Sequence, residues 1–306
     1  MDFRLGDDQR ALRAGVRELL ARRFGPERLR AAAAPPRDAG AGDRRSAPVL
    51  DRALWRELGE AGFFALRLPQ ARGGVGLGLA EAVLAFEEAG RALLPGPLVA
   101  THLAAGEVPG AATGACVVAA VDGTLVEWLD AADVVRGDVT GAVALRSADP
   151  LTPLHRVPRA APGDPVAVLL TAAEQLGSAG RTCALAVQHA RTREQFGQPI
   201  GAFQAVQHLC AEMLVRVEVA RAAVYAAAVT GDPLDIAAAR LSADEAAVRG
   251  ARDCLQVHGG TGFTWESDVH LHLKRAWCRA RRGPAAAEAE EALAEELLAP
   301  AERPGT

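Results

Sequence analysis

The chain has 306 residues, half of them hydrophobic and 24% charged, which supplies a substantial core and excludes wholesale disorder. A formal net charge of −4 gives no general reason to expect nucleic acid or an anionic membrane as partner. The five cysteines, Cys116, Cys183, Cys210, Cys254 and Cys278, are odd in number and widely spaced, so the expectation is a reduced, cytoplasmic protein without a metal site.

The N-terminal stretch MDFRLGDDQRALRAGVRELL is charged and lacks the apolar centre of a signal peptide. Leu5, Gln9, Leu12, Val16, Leu19 and Leu20 mark a helical face, with Asp7 or Asp8 as its expected cap. Residues 34–48 collect Pro, Gly and charge and read as a loop. LDRALWRELGEAGFFAL resumes a helix to about Gly62, and AEAVLAFEEAGRALLPGP carries another to Pro95. Between them GGVGLG, residues 73–78, has no βαβ unit around it and reads as a turn. In the centre, GACVVAAVDG, DVVRGDVTGAVAL and DPVAVLL are short valine-rich runs that favour brief strands.

Helical periodicity then returns. One stripe runs from Val166 through Leu176 to Val187, and a second from Val206 to Val224. Gly231 suits the stop of the second, and Asp232-Pro233 the cap and first turn of a third helix reaching about His258. Residues 267–282 read as a fourth, and the tail AAAEAEEALAEELLA as a surface helix or frayed end. The predicted fold is therefore mostly α: an N-terminal helical domain over 1–110, a reduced β segment over 111–160 and a C-terminal helical bundle over 161–306. Apolar residues on several faces of the long helices point to further packing between subunits.

Two motifs carry chemistry. In ARTREQFGQPIGAFQAVQH, residues 190–208, Arg193 and the free N–H groups beyond Pro199 are suited to an anionic phosphate, and Phe196 to an adenine or sugar. Spacing alone equally allows an ordinary helix corner with solvated arginines. In QVHGGTGFTWE the pair Gly259-Gly260 lets a cofactor approach the backbone closely. His270 and His272, two apart on one helix, face different sides and make a poor metal pair. Lys274, Arg275, Arg279, Arg281 and Arg282 suit a CoA phosphate or, more ordinarily, a solvated basic helix end.

TREQFGQPIGAFQAVQH, QVHGGTGFTWE and the N-terminal WRELGEAGFFALRLPQARGGVGLGLAEAVLAFEEAGRALLPGPLVAT, in this order and spacing, resemble the acyl-CoA dehydrogenase family. The resemblance implies a helical N-terminal domain, a small β domain and a four-helix bundle, assembled as a dimer of dimers. It also implies FAD and an acyl-CoA or other acyl thioester. Arg193 and Phe196 would contact the adenosine-diphosphate half of a neighbour's FAD, Gln195 and Gln204 the same region, and Gln256, Gly259 and Gly260 a second part of that nucleotide. In family chemistry a carboxylate removes the proton alpha to the thioester carbonyl while hydride passes from the beta carbon to the flavin, whose electrons go on to an acceptor protein.

The sequence departs from that pattern where the base belongs. The usual glutamate position falls on Gly283, with no carboxylate until Glu288, and the family's minority position falls near Ala167. The nearest acid to the latter is Glu174, about two turns on, either a substitute base or a helix-surface acid. The loop beside the flavin ring also has no counterpart within 105–165. Three readings follow: a flavin-dependent dehydrogenase of acyl thioesters, an incomplete partner subunit of a homo- or hetero-oligomer that contributes FAD contacts, or a helical interaction protein without flavin.

Overall fold

The computed structural model describes residues 4–34, 48–282 and 286–298. The loop expected over 34–48 lies almost wholly outside these residues, as does Gly283.

Five helices build the N-terminal region: α1 (Asp7–Arg23), α2 (Pro26–Ala33), α3 (Arg52–Glu60), α4 (Leu79–Arg91) and α5 (Leu98–Ala104). The cap of α1 is Gly6, not an aspartate; the Gln9 side chain accepts from the Gly6 N–H, and Asp7 and Asp8 instead sit in the first turn. Asp51 caps α3 through the N–H groups of Ala53 and Leu54. The GGVGLG stretch is turn and extended chain, as its composition predicts.

A four-stranded sheet follows in the order β2-β1-β4-β3, with β1 (Val118–Glu127), β2 (Val134–Arg136), β3 (Val143–Leu145) and β4 (Leu154–Ala161). β1 pairs in parallel with β2 and antiparallel with β4, and an irregularity near Gly123 interrupts the β1–β4 register. The third valine-rich run is not a strand. Asp164 accepts hydrogen bonds from Val166 and Ala167, and Pro165 opens a long helix, α6 (Pro165–Thr192), so cap chemistry overrides local β preference there. Ala119, Val121, Val126 and Val157 form the small core of the sheet.

The C-terminal region comprises α6, α7 (Gln204–Thr230), α8 (Pro233–His258), α9 (Val269–Arg279) and α10 (Ala286–Leu298). Gly231 stops α7 with φ 64°, and Asp232 caps α8 through Leu234 and Asp235, as read from the sequence. This tight connection makes α7 and α8 antiparallel. A two-residue hairpin, β5 (Glu194–Gln195) and β6 (Gln198–Pro199), turns the chain from α6 into α7. The C-termini of α6 and α8 and the N-terminus of α7 therefore share one end of the bundle.

One hydrophobic core runs from Leu20, Trp55 and Phe86 into Leu170, Leu176, Val217 and Ala243, so the N-terminal helices and the bundle are a single packed body. α4 and α6 touch backbone to backbone. A Cβ added to Gly177 would lie 1.8 Å from the Glu87 carbonyl oxygen, and one on Gly90 would lie 1.9 Å from that of Glu174. Arg13 also bonds Glu87 at 2.8 Å and Glu88 at 2.9 Å, tying α1 to α4.

Candidate functional site

At the hairpin end of the bundle, the residues singled out by sequence lie at the surface. Phe196 and Gly197 both have positive φ, 56° and 80°, the signature of a two-residue hairpin turn with both central residues left-handed. Holding a phenylalanine there costs roughly 1–2 kcal/mol. Its ring gains little from the protein in return: it meets only the edge of Phe203 at 6.1 Å and is 93% exposed. Arg193 is exposed and, among the described residues, its guanidinium carries no ion pair, while its backbone N–H and carbonyl are held by His189 and Ile200. Gln204 opens α7, whose N-terminus has no side-chain cap; the Val206 and Gln207 N–H groups turn back to the Phe203 carbonyl, and those of Gln204 and Ala205 have no partner among the described residues. The Gln195 amide bonds the Glu194 carbonyl at 2.7 Å. Gln256, Gly259 and Gly260 are exposed as α8 ends, and a Cβ on either glycine would meet nothing within 4 Å. His189 and His258 bring the ends of α6 and α8 together, their rings stacked 4.1 Å apart. An unpaired guanidinium, a presented aromatic face, free amides and an open glycine backbone fit the adenosine-diphosphate half of a dinucleotide.

The other end of α6 is different. Glu174 is not a surface acid: it is 2% exposed and ion-paired with Arg279, which donates to Oε1 at 3.0 Å and lies 2.7 Å from Oε2. Burial pushes the Glu174 carboxyl up from its ordinary range against the pull of Arg279, and burial likewise pulls Arg279 down. Arg282 bonds Glu127 on β1 at 3.0 Å and Asp122 at 3.2 Å. Arg275 pairs with Asp149 and donates to the Leu94 carbonyl at 3.2 Å. Arg240 on α8 bonds Asp244 at 2.6 Å and donates to the carbonyls of Arg279 and Arg282. Arg275, Arg279 and Arg282 are therefore a buried ionic cluster, not a solvated basic helix end. Their spacing of four and three residues brings the arginines to one side of α9 and its exit, but the acids they meet are distant in the sequence. Trp277 lies on the opposite, exposed face.

The two expected base positions neighbour this cluster along the chain. Ala167 opens α6 two turns before Glu174, and Gly283 follows Arg282 directly. The gap left between Glu127, Glu174, Arg279, Arg282 and residues 96–100 is about 10 Å3, room for one water molecule. A larger cavity of about 230 Å3 lies elsewhere, against Phe24, Leu54, Trp55 and Leu94; Asp51, its carboxylate, is committed to capping α3. From Glu174 to Arg193 the helix rises about 28 Å, so the ionic cluster and the nucleotide end of one chain belong to different sites.

Comparison with known proteins bears on the same two halves. Residues 6–114 match the description "Acyl-CoA dehydrogenase, N-terminal domain" and residues 168–286 match "Acyl-CoA dehydrogenase, C-terminal domain". The acyl-CoA dehydrogenase IpdE2 of Mycobacterium tuberculosis is 38% identical over 303 residues, covering 88% of this chain and 91% of the relative. The chain belongs to the acyl-CoA dehydrogenase family. Family members are oxidoreductases, and this member keeps their mostly helical fold around a small sheet. The IpdE2 of Mycolicibacterium smegmatis is 33% identical over 89% of this chain and 93% of its own length. Among solved structures, the ChsE4–ChsE5 complex from Mycobacterium tuberculosis superposes with a TM-score of 0.79 at 25% identity, covering all of both chains. Butyryl-CoA dehydrogenase from Megasphaera elsdenii shares the fold, with a TM-score of 0.79 at 19% identity over 97% of this chain and 100% of that one. Among the described residues, no helix of this acyl-CoA dehydrogenase homologue is long and apolar enough to cross a membrane.

Proposed function

We propose that this chain is one subunit of a hetero-oligomeric acyl-CoA dehydrogenase, in which it lends adenosine-side contacts to an FAD whose ring and catalytic base belong to a sister subunit. The assembly would carry out alpha,beta-dehydrogenation of an acyl-CoA thioester. FAD, when bound there, supplies the hydride acceptor and passes electrons to an acceptor protein. In this chain Arg193 neutralises diphosphate charge, Phe196 covers the adenosine, and Gln195, Gln204, Gln256, Gly259 and Gly260 complete the seat.

The closed ionic cluster carries the reading. A flavin ring and a thioester need a pocket on the order of 300 Å3 or more, against about 10 Å3 beside Glu174, the acid nearest the minority base position. Glu174 is committed to a buried ion pair with Arg279 and is not poised to remove a proton. Two further observations support a partner. Leu214, Val215 and Val219 form an exposed apolar strip on α7, at 53%, 62% and 57% exposure. The ChsE4–ChsE5 structure, similar along the whole chain, is a complex of two components.

The test is the visible spectrum of the purified chain, with its oligomer size, alone and after co-expression with a longer relative. A colourless chain that becomes yellow and active only in the mixed assembly is the expected result. Near-stoichiometric flavin and dehydrogenation by the chain alone would overturn the proposal.

A further inference from the structure

The stacked imidazoles at the nucleotide end have a role that the contacts described so far do not use. His189 lies on the last turn of α6 and His258 is the last residue of α8; their planes are inclined by only 19°. The His258 Nδ1–H donates to the Cys254 carbonyl at 2.8 Å, one turn back, which fixes the tautomer and leaves Nε2 as the nitrogen that can meet a ligand. Among the described residues, neither ring nitrogen of His189 has a hydrogen-bond partner, and both rings are only partly covered. Gly259 continues directly from His258 into open space, and Arg193 follows His189 by four residues.

The titratable and charged groups facing His189 are His258 on α8 and Arg193 on the segment leaving α6; Cys254 faces His258 from one turn back on α8. Among the described residues, no carboxylate acts on His189. Burial, then His258, then Arg193 lower its basicity. Three potential cations thus meet at an open end with no anion of the protein's own. An arriving dianion would relieve their repulsion and favour the protonated His189 imidazole.

We propose that His189 and His258, together with Arg193, bind the diphosphate of a nucleoside diphosphate and take up a proton as they do so. Under the proposed function this ligand is the ADP half of the flavin, and the inference rests on that reading for the ligand's identity. The stack is then a seat whose charge rises only when it is occupied.

ADP is the probe, titrated into the purified full-length chain by calorimetry at pH 6 and pH 8 in buffers of different ionisation heat. The expected result is proton uptake on binding and an affinity at least fivefold weaker at pH 8, since one fully linked proton changes affinity up to tenfold per pH unit. The double variant H189F/H258F keeps two stackable rings and should bind more weakly at pH 6, with neither uptake nor pH dependence. ADP binding without pH dependence, unchanged uptake in the double variant, or no ADP binding at pH 6 up to roughly 10 mM would each overturn the inference. The shared-flavin reading fails separately: linked ADP binding with unchanged flavin retention by the R193A assembly would keep the diphosphate seat and remove the FAD assignment.

Discussion

Replacing Glu174 by alanine should be among the most damaging single changes in the molecule. Arg279, 3% exposed, would lose its hydrogen bond and ion pair with the Glu174 carboxylate and stay enclosed by Arg275, Arg282 and the sheet. Removing one partner of a buried ion pair costs about 3–5 kcal/mol, because the remaining charge is neither solvated nor compensated. At an unfolding entropy near 2.1 cal/mol/K per residue, a chain of 306 residues changes by about 0.6 kcal/mol per degree at its midpoint. The expected fall in Tm is therefore about 5–8 °C, read by calorimetry at pH 7. The double variant E174L/R279M, which removes both charges at similar volume, should recover most of that loss. A shift below about 2 °C for E174A, or a double variant as unstable as the single one, would refute the picture of a closed, tightly paired cluster.

Phe196→Asn should raise stability by roughly 1 kcal/mol in chemical denaturation, since Asn-Gly suits the left-handed turn that phenylalanine occupies at a cost, while flavin retention by the mixed assembly falls. Arg193→Ala should weaken flavin retention in that assembly about tenfold or more, measured by flavin released on dilution, with the Tm of the isolated chain unchanged. Gly177→Ala should destabilise by about 3 kcal/mol or more, because its methyl would meet backbone and not a yielding side chain. Burial pulls His102 down to about 4 and His272 to about 3. Both fold neutral, so their contribution is intact above pH 6.5 and is lost as pH falls from there toward those values, on the order of 2 kcal/mol each by pH 5. Urea midpoints from pH 8 to pH 5 should show that fall, and His272→Asn should flatten part of it.

Much of the fold is legible because its punctuation is chemical. Gly231, Asp232 and Pro233 mark the α7–α8 junction by properties that hold whatever surrounds them. DPVAVLL misleads because valine favours strands while Asp164-Pro165 begins a helix, and the cap prevails. β4 escapes notice because its buried residues Leu154 and Val157 are three apart, which breaks the alternation of a regular strand. At the site, Arg193, Phe196 and the glycines are readable because their residue types suit one ligand. The ionic cluster is not, since Asp122, Glu127, Asp149 and Glu174 lie 100 or more residues from the arginines they meet, and only folding brings them together.

The bare-backbone crossing of α4 and α6 has a consequence for how such a subunit could be regulated. With Gly90 and Gly177 each seated against a carbonyl of the other helix, the N-terminal helices have no hinge on which to swing away from the bundle. Signals between the two ends of the molecule would have to pass as a rigid-body reorientation of the whole subunit against its neighbour. The moving part of the assembly would then be its subunit boundary, and the chain itself would act as one stiff lever.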